Sequence, residues 1–383
     1  MRDLADSLGL YVHWPYCARI CPYCDFNVFR PKGDDEALFA AILDDMTHWC
    51  ERTGPRKLVS LHLGGGTPSL MPAQQIERLI AHAQELWGFE ADAEIGLEAN
   101  PKDKDSFADF ASAGINRLSV GVQSFDDDAL TLLGRDHDAA LGARSIEAAM
   151  KAVDRVSIDL IYALAGQSLM SWRKELKHGL SFGAGHLSPY QLTIEARTAF
   201  GKRAGRGEVL TSSEDMAADF FDLTQEVCAE AGLPAYEISN HARSEADQSR
   251  HNRLYWEGGD WIGVGPGAHS RVGRASLSGR QALSTHLRPK AYIEAVANKG
   301  SGIDEVEVLG AEDELAERIL MGMRLSSGLD RSVLRQTTGM DVDETALRHW
   351  RDAGYLDDDG DQVALSARGK VFADKISGEL VPA

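Results

Sequence analysis

The chain has 383 residues, 43% hydrophobic and 26% charged, enough apolar material for a large core and too much for an intrinsically disordered chain. Its 40 Lys and Arg against 59 Asp and Glu leave a net charge of −19, which repels phosphate backbones and anionic lipid and excludes general nucleic-acid or membrane-surface binding. No apolar run reaches the roughly 18 residues of a spanning helix, and Met1-Arg2-Asp3-Leu4-Ala5-Asp6-Ser7 lacks the apolar stretch of a secretory signal, so a cytoplasmic location is expected.

Along the chain, short apolar runs at 10–12, 58–63, 95–98, 118–122, 156–161 and 187–194 read as strands. Helical patterns at 35–50, 73–86, 107–113, 146–153 and 172–180 fall between them. Parallel neighbours need a crossover, so this alternation predicts an α/β fold: a partial (β/α)6 barrel, with an open doubly wound sheet as the competitor. In either case the strands' C-terminal ends gather functional residues. His13, Gly64-Gly65-Gly66-Thr67, Glu98 and Gln123 stand at four such ends.

Past residue 205 come a helix at 214–231, an apolar run at 236–238, an aromatic and glycine-rich segment at 255–267, and a polar stretch at 270–289 that reads as a surface connection. The expected division is a barrel with its extension over 1–290 and a small, mainly helical, winged-helix-like unit over 300–383. Winged helices often bind DNA, but this tail carries nine Lys and Arg against eighteen Asp and Glu, which favours a packing or lid role.

Three of the five cysteines, Cys17, Cys21 and Cys24, are spaced C-x3-C-x2-C directly after the first strand. Three thiolates on one tight loop suit three corners of a [4Fe–4S] cube and leave the fourth iron open to a small molecule. Alternatives are a zinc knuckle with His13 as fourth ligand, although no second cysteine or histidine pair occurs, and a dithiol redox site at Cys21 and Cys24, which leaves Cys17 idle. Cys50 and Cys228 read as small buried apolar residues. Asp159, inside Ile158-Asp159-Leu160-Ile161, is either a site residue or a salt-bridged core residue, since a buried lone charge is costly.

The cysteine spacing, with Tyr23 before the last cysteine, resembles the radical S-adenosylmethionine superfamily. The resemblance implies a partial (β/α)6 barrel and an open iron chelated by the methionyl amine and carboxylate. It also implies cleavage of the sulfonium to methionine and a 5′-deoxyadenosyl radical. It assigns Gly64–Thr67 to the methionine amine. More narrowly, Y-x-H-W-P-Y-C, L-H-L-G-G-G-T-P-S, R-L-S-x-G-V-Q-S-F, S-I-D-L-I-Y and I-G-V-G-P-G-A-H-S, in order over residues 11–270, resemble the family of oxygen-independent coproporphyrinogen III dehydrogenases (HemN) and the related heme chaperones (HemW). By that resemblance Tyr11, Gly65 and Glu98 contact a first S-adenosylmethionine. Tyr23, Gly66, Thr67, Gln123, Arg135 and Asp159 fall at positions of a second.

Three features separate the two siblings. The dehydrogenase continues to a fourth cysteine where this chain has Phe26; it has a long extension before the cluster; and His251-Asn252-Arg253-Leu254-Tyr255-Trp256 fits the H-N-x-x-Y-W pattern of the chaperones. The resemblance then implies a heme-binding protein that passes heme to an acceptor, a respiratory-chain protein being one such class. His251 would be an iron ligand, with His241 and His269 as competitors, and Tyr255 and Trp256 would be porphyrin walls. A homodimer is the assembly a cluster or heme would promote. The competing functions are oxidative decarboxylation of porphyrinogen propionates and radical chemistry on an unrelated substrate.

Overall fold

The computed structural model describes residues 7–273 and 279–382. Six strands, β1 (Leu8–Trp14), β2 (Leu58–Gly65), β3 (Phe89–Ala99), β4 (Arg117–Gln123), β5 (Arg155–Tyr162) and β6 (His186–Gln191), pair in sequence order and all in parallel. The helices Asp35–Thr53, Ala73–Leu86, Phe107–Ser112, Ala139–Ala152, Leu169–Ser181 and Glu214–Glu230 follow them in turn. Burial of both faces explains why these strands read as continuous apolar runs rather than alternating ones: Leu8, Leu10, Leu58, Leu61, Leu63, Leu118 and Val120 have no exposed surface.

The sheet is open, as a partial barrel must be. Beyond β6 lies the short antiparallel β7 (His241–Ala242), and on the other edge β8 (Asp260–Val264) runs parallel to β1. Then β9 (His269–Val272), β10 (Gln281–Thr285) and β11 (Ile303–Val308) continue it antiparallel to eleven strands. The stretch 270–289 is therefore not a plain surface connection. Ser270, Val272, Leu283 and Thr285 turn inward on alternate positions of β9 and β10, a period-two pattern hidden by its polar composition. Residues 274–278 of that stretch lie outside the described residues.

The last part of the chain folds around its own core, including Leu315, Ile319, Leu334, Leu347, Val363 and Ile376. Its helices Ala311–Gly322, Arg331–Thr338 and Glu344–Asp352 precede the hairpin of β13 (Leu356–Asp358) and β14 (Gln362–Leu365). With β12 (Leu329–Asp330) on the other side of β14, this is a winged-helix-like arrangement. Between residue 300 and this core, β11 still belongs to the large sheet.

Candidate functional site

Register alone brings the strand ends together. Trp14 pairs with Gly65, Leu97 with both Leu63 and Leu118, and Gln123 with Leu160, so the loops after β1 to β5 open on one rim. The cysteine loop is pinned at its base by Cys17 N–H to Phe29 O (2.9 Å) and Phe29 N–H to Pro15 O (2.7 Å). It is also fastened to the glycine turn, where Gly66 N–H donates to Trp14 O (2.8 Å) and Thr67 N–H to Tyr16 O (2.9 Å). That contact explains the glycines: a Cβ on Gly66 would lie 2.8 Å from backbone atoms of Trp14, Pro15 and Tyr16, and Gly65, at φ +105°, abuts the His13 ring.

Two side chains reach the sulfurs. Thr67 Oγ1 donates to Cys17 Sγ (3.4 Å) and Arg135 Nη1 to Cys21 Sγ (3.3 Å), while Arg135 Nη2 is anchored on Gly121 O (2.9 Å). Burial pushes the Cys17 thiol up and the Cys24 thiol up to about 11 in the metal-free chain. His13 is not a free fourth ligand, because its ring nitrogens bond to the Tyr11 hydroxyl (3.0 Å) and Asn27 O (2.9 Å). Among the described residues no group of three or more His, Cys, Asp or Glu is gathered to hold a single metal ion. Cys228 is fully buried, and Cys50 is half-buried with its Sγ against Leu86 O (3.1 Å).

A cavity of about 590 Å³ opens beside this loop. Eleven of the residues singled out from the sequence line it: the three cysteines, Tyr23, Gly65, Gly66, Thr67, Glu98, Gln123, Arg135 and Asp159. Burial pushes Glu98 up, but bonds from His62 Nε2 (3.3 Å) and Gly65 N–H (3.1 Å) outweigh it and hold the carboxyl below its ordinary value. Gln123 sits at a bulge ending β4 with φ 69°, a strained backbone at a residue that lines the cavity. Asp159 accepts from the hydroxyls of Ser119 (2.8 and 2.9 Å) and Ser157 (3.1 Å), and burial raises its pKa to about 6. Its bonded partners are hydroxyls, which sets the salt-bridged core reading aside. The floor also holds Arg117, His186, Ser188, Tyr190 and Asn240, which the sequence reading did not single out.

Tyr11 and His251 instead line a second cavity of about 420 Å³, which shares Phe26, His62, Gly65, Glu98 and Asn252 with the first. Its wall is a ladder of rings. His62 stacks on His251 at 4.8 Å, His251 meets Tyr255 edge-on at 4.6 Å, and Tyr255 leans on Trp261 at 4.5 Å. His251 is 2% exposed and both its ring nitrogens are engaged, by Ser60 Oγ (3.0 Å) and the Tyr255 hydroxyl (2.6 Å). As the chain stands, it is a wall residue rather than a free ligand. Trp256 is not on this wall; it lies under the Arg324 guanidinium at 4.6 Å and faces another cavity, and Trp261 supplies the indole. His241 is fully buried, bonded to Leu233 O (3.2 Å), and lines neither cavity, whereas His269 lines the aromatic one. His62, given no role from the sequence, joins the two; its place on β2 two residues before Gly64 is the available signal.

The family model of the radical SAM superfamily matches residues 11–178 and that of the HemN C-terminal domain residues 309–372. The mitochondrial radical S-adenosyl methionine domain-containing protein 1 of Mus musculus is 37% identical over 348 residues, covering 86% of this chain and 78% of that protein. The heme chaperone HemW of Escherichia coli is 32% identical over 377 residues, covering 96% and 97%. Coproporphyrinogen III oxidase (HemN) from Escherichia coli superposes with a TM-score of 0.84 at 23% identity, over 99% of this chain and 91% of that one, and so shares the fold. With the cysteine rim, the parallel half-barrel and the winged tail in place, the chain belongs to the radical SAM superfamily, among the HemW-type proteins that carry a HemN C-terminal domain.

Proposed function

We propose that this chain is a cytoplasmic heme chaperone: it holds an S-adenosylmethionine-coordinated [4Fe–4S] cluster at the cysteine rim, binds heme in the adjoining aromatic cavity and delivers it to an acceptor protein. The observation that carries this reading is the ring-lined cavity set against the cysteine-lined one, with Gly65 and Glu98 as a common wall. A cavity of about 420 Å³ falls within the range of small-ligand sites, roughly 300–1,000 Å³. Tyr11, Tyr255, Trp261 and the exposed Phe26 offer flat apolar surface of the kind a porphyrin needs.

The donor set fits the cluster. Cys17, Cys21 and Cys24 would hold three irons, and the hydrogen bonds from Thr67 and Arg135 to sulfur are the kind that orient and tune thiolate ligands. When bound, such a cluster supplies one electron and an open coordination site for the methionyl amine and carboxylate. The chain's part is to place polar groups around that ligand: Glu98 and Gln123 as acceptors, Thr67 and Arg135 as donors, Asp159 on the floor.

The cysteine-lined cavity is ill suited to porphyrinogen decarboxylation. Asp25, Glu98, Asp159 and Glu195 line it, with Asp136 paired to Lys102 at 3.3 Å, against Arg19, Arg117 and Arg135, and Arg117 and Arg135 are already engaged, by Glu94 and Asp247 O and by Cys21 and Gly121 O. A substrate carrying several propionates meets net repulsion there. Phe26 stands where the dehydrogenases have a further cysteine. Among the described residues no helix is long and apolar enough to cross a membrane. The test is an anaerobic incubation of the reconstituted protein with coproporphyrinogen III, S-adenosylmethionine and a reductant, beside a heme titration. Saturable heme binding without protoporphyrinogen is the expected result, and steady protoporphyrinogen formation would overturn the chaperone reading.

A further inference from the structure

Four imidazoles border the aromatic cavity, and three are committed elsewhere. His13 is buried with both ring nitrogens bonded, to the Tyr11 hydroxyl and to Asn27 O. His251 is equally buried, between Ser60 and Tyr255. His62 bonds Glu98 through Nε2; its Nδ1 has no hydrogen-bond partner but is buried against β3, where a Cβ on Gly96 would lie 2.8 Å from it and no iron could reach it.

His269 is the one of the four whose ring is both exposed and unbonded among the described residues. It is exposed at the first position of β9, and among the described residues its ring makes no hydrogen bond or ion pair. Its backbone is fixed, because His269 O accepts from the Trp261 indole N–H at 3.0 Å, so the residue is tied to the indole wall while its ring stays free. Phe26, 60% exposed, lines the same opening and offers the flat face against which a porphyrin could rest.

We infer that His269, not His251, donates its imidazole nitrogen to the iron of heme seated in the aromatic cavity. This deepens the heme-binding reading above and rests on it. An iron ligand at the cavity mouth also suits a carrier: an acceptor's own ligand can replace an exposed imidazole without opening the fold, whereas release from His251 would require breaking its bonds to Ser60 and Tyr255.

The test is a titration of ferric heme into the anaerobically reconstituted full chain, read by electron paramagnetic resonance and magnetic circular dichroism of the heme. Wild-type protein should show a histidine-ligated heme. His269→Ala, an exposed substitution, should lose that signature and bind heme about ten- to a hundred-fold more weakly, and added imidazole should restore the signature by entering the open mouth. A histidine signature unchanged by His269→Ala would overturn the assignment and pass the ligand to His251 or His62. A wild-type chain that binds heme through a non-histidine ligand would also overturn it. Failure of the wild-type chain to bind heme at all would instead overturn the heme-binding reading itself.

Discussion

The cysteine-lined cavity is held by backbone contacts between two loops, whereas the aromatic cavity is held by side-chain rings leaning on one another across β1, β2, β8 and the helix Arg250–Trp256. The first depends on residues with no side chain, since the glycine turn must touch the cysteine loop; the second depends on the largest side chains in the neighbourhood. The two meet at Gly65 and Glu98, where a backbone N–H is bonded to a carboxylate. Loops at the ends of parallel strands can therefore carry a ligand set that varies independently of the sheet face beside it.

The strongest break in this comparison is Cys17→Ser. It should abolish the iron–sulfur absorption of anaerobically reconstituted protein, while Cys50→Ser and Cys228→Ser leave iron content unchanged; iron and sulfide analysis checks it. Next is Gly66→Ala, whose methyl group must push on the backbone of residues 14–16. A loss of about 1–3 kcal/mol is expected from such overpacking, read by denaturant unfolding, together with reduced iron loading. Tyr255→Phe sharpens the contrast: it removes the hydroxyl bonded to His251 at a cost of about 1 kcal/mol and should leave iron loading intact. Iron lost with Tyr255→Phe would mean that the cavities are not separately supported.

A further effect concerns pH. Burial raises the Asp159 carboxyl from 3.8 to about 6, so the folded state binds this proton more tightly than the unfolded chain does. Stability from this group is greatest at low pH and declines as pH rises from about 4 to about 6. Asp159→Asn should therefore stabilise the metal-free chain above pH 6 by up to about 3 kcal/mol, with the gain vanishing near pH 4. An equal gain at both pH values would contradict a raised Asp159.

Much of the rim was legible because its chemistry is local in sequence. The cysteine spacing, the glycine triplet and the polar strand ends each lie within a few residues, and six parallel strands deliver them to one edge. The helix at 73–86 was read at its true bounds, but that at 146–153 begins at Ala139, where Asp138 caps it by accepting from Leu141 N–H (2.7 Å) and the first turn has little apolar period. The aromatic cavity was less legible because it is assembled from one face of several elements. His251 and Tyr255, four apart, share a side of their helix, while Trp256, one position further, points about 100° away and leaves the indole wall to Trp261. His62 carried no motif weight of its own, and its stacking on His251 arises only from how the helix packs over β2.

The claim that two neighbouring cavities take two different ligands is tested most directly by titrating heme into cluster-loaded protein with and without saturating S-adenosylmethionine. One heme per chain is expected in both titrations, with S-adenosylmethionine still bound. Stoichiometric displacement of heme by S-adenosylmethionine would place both ligands in the cysteine-lined cavity and contradict it.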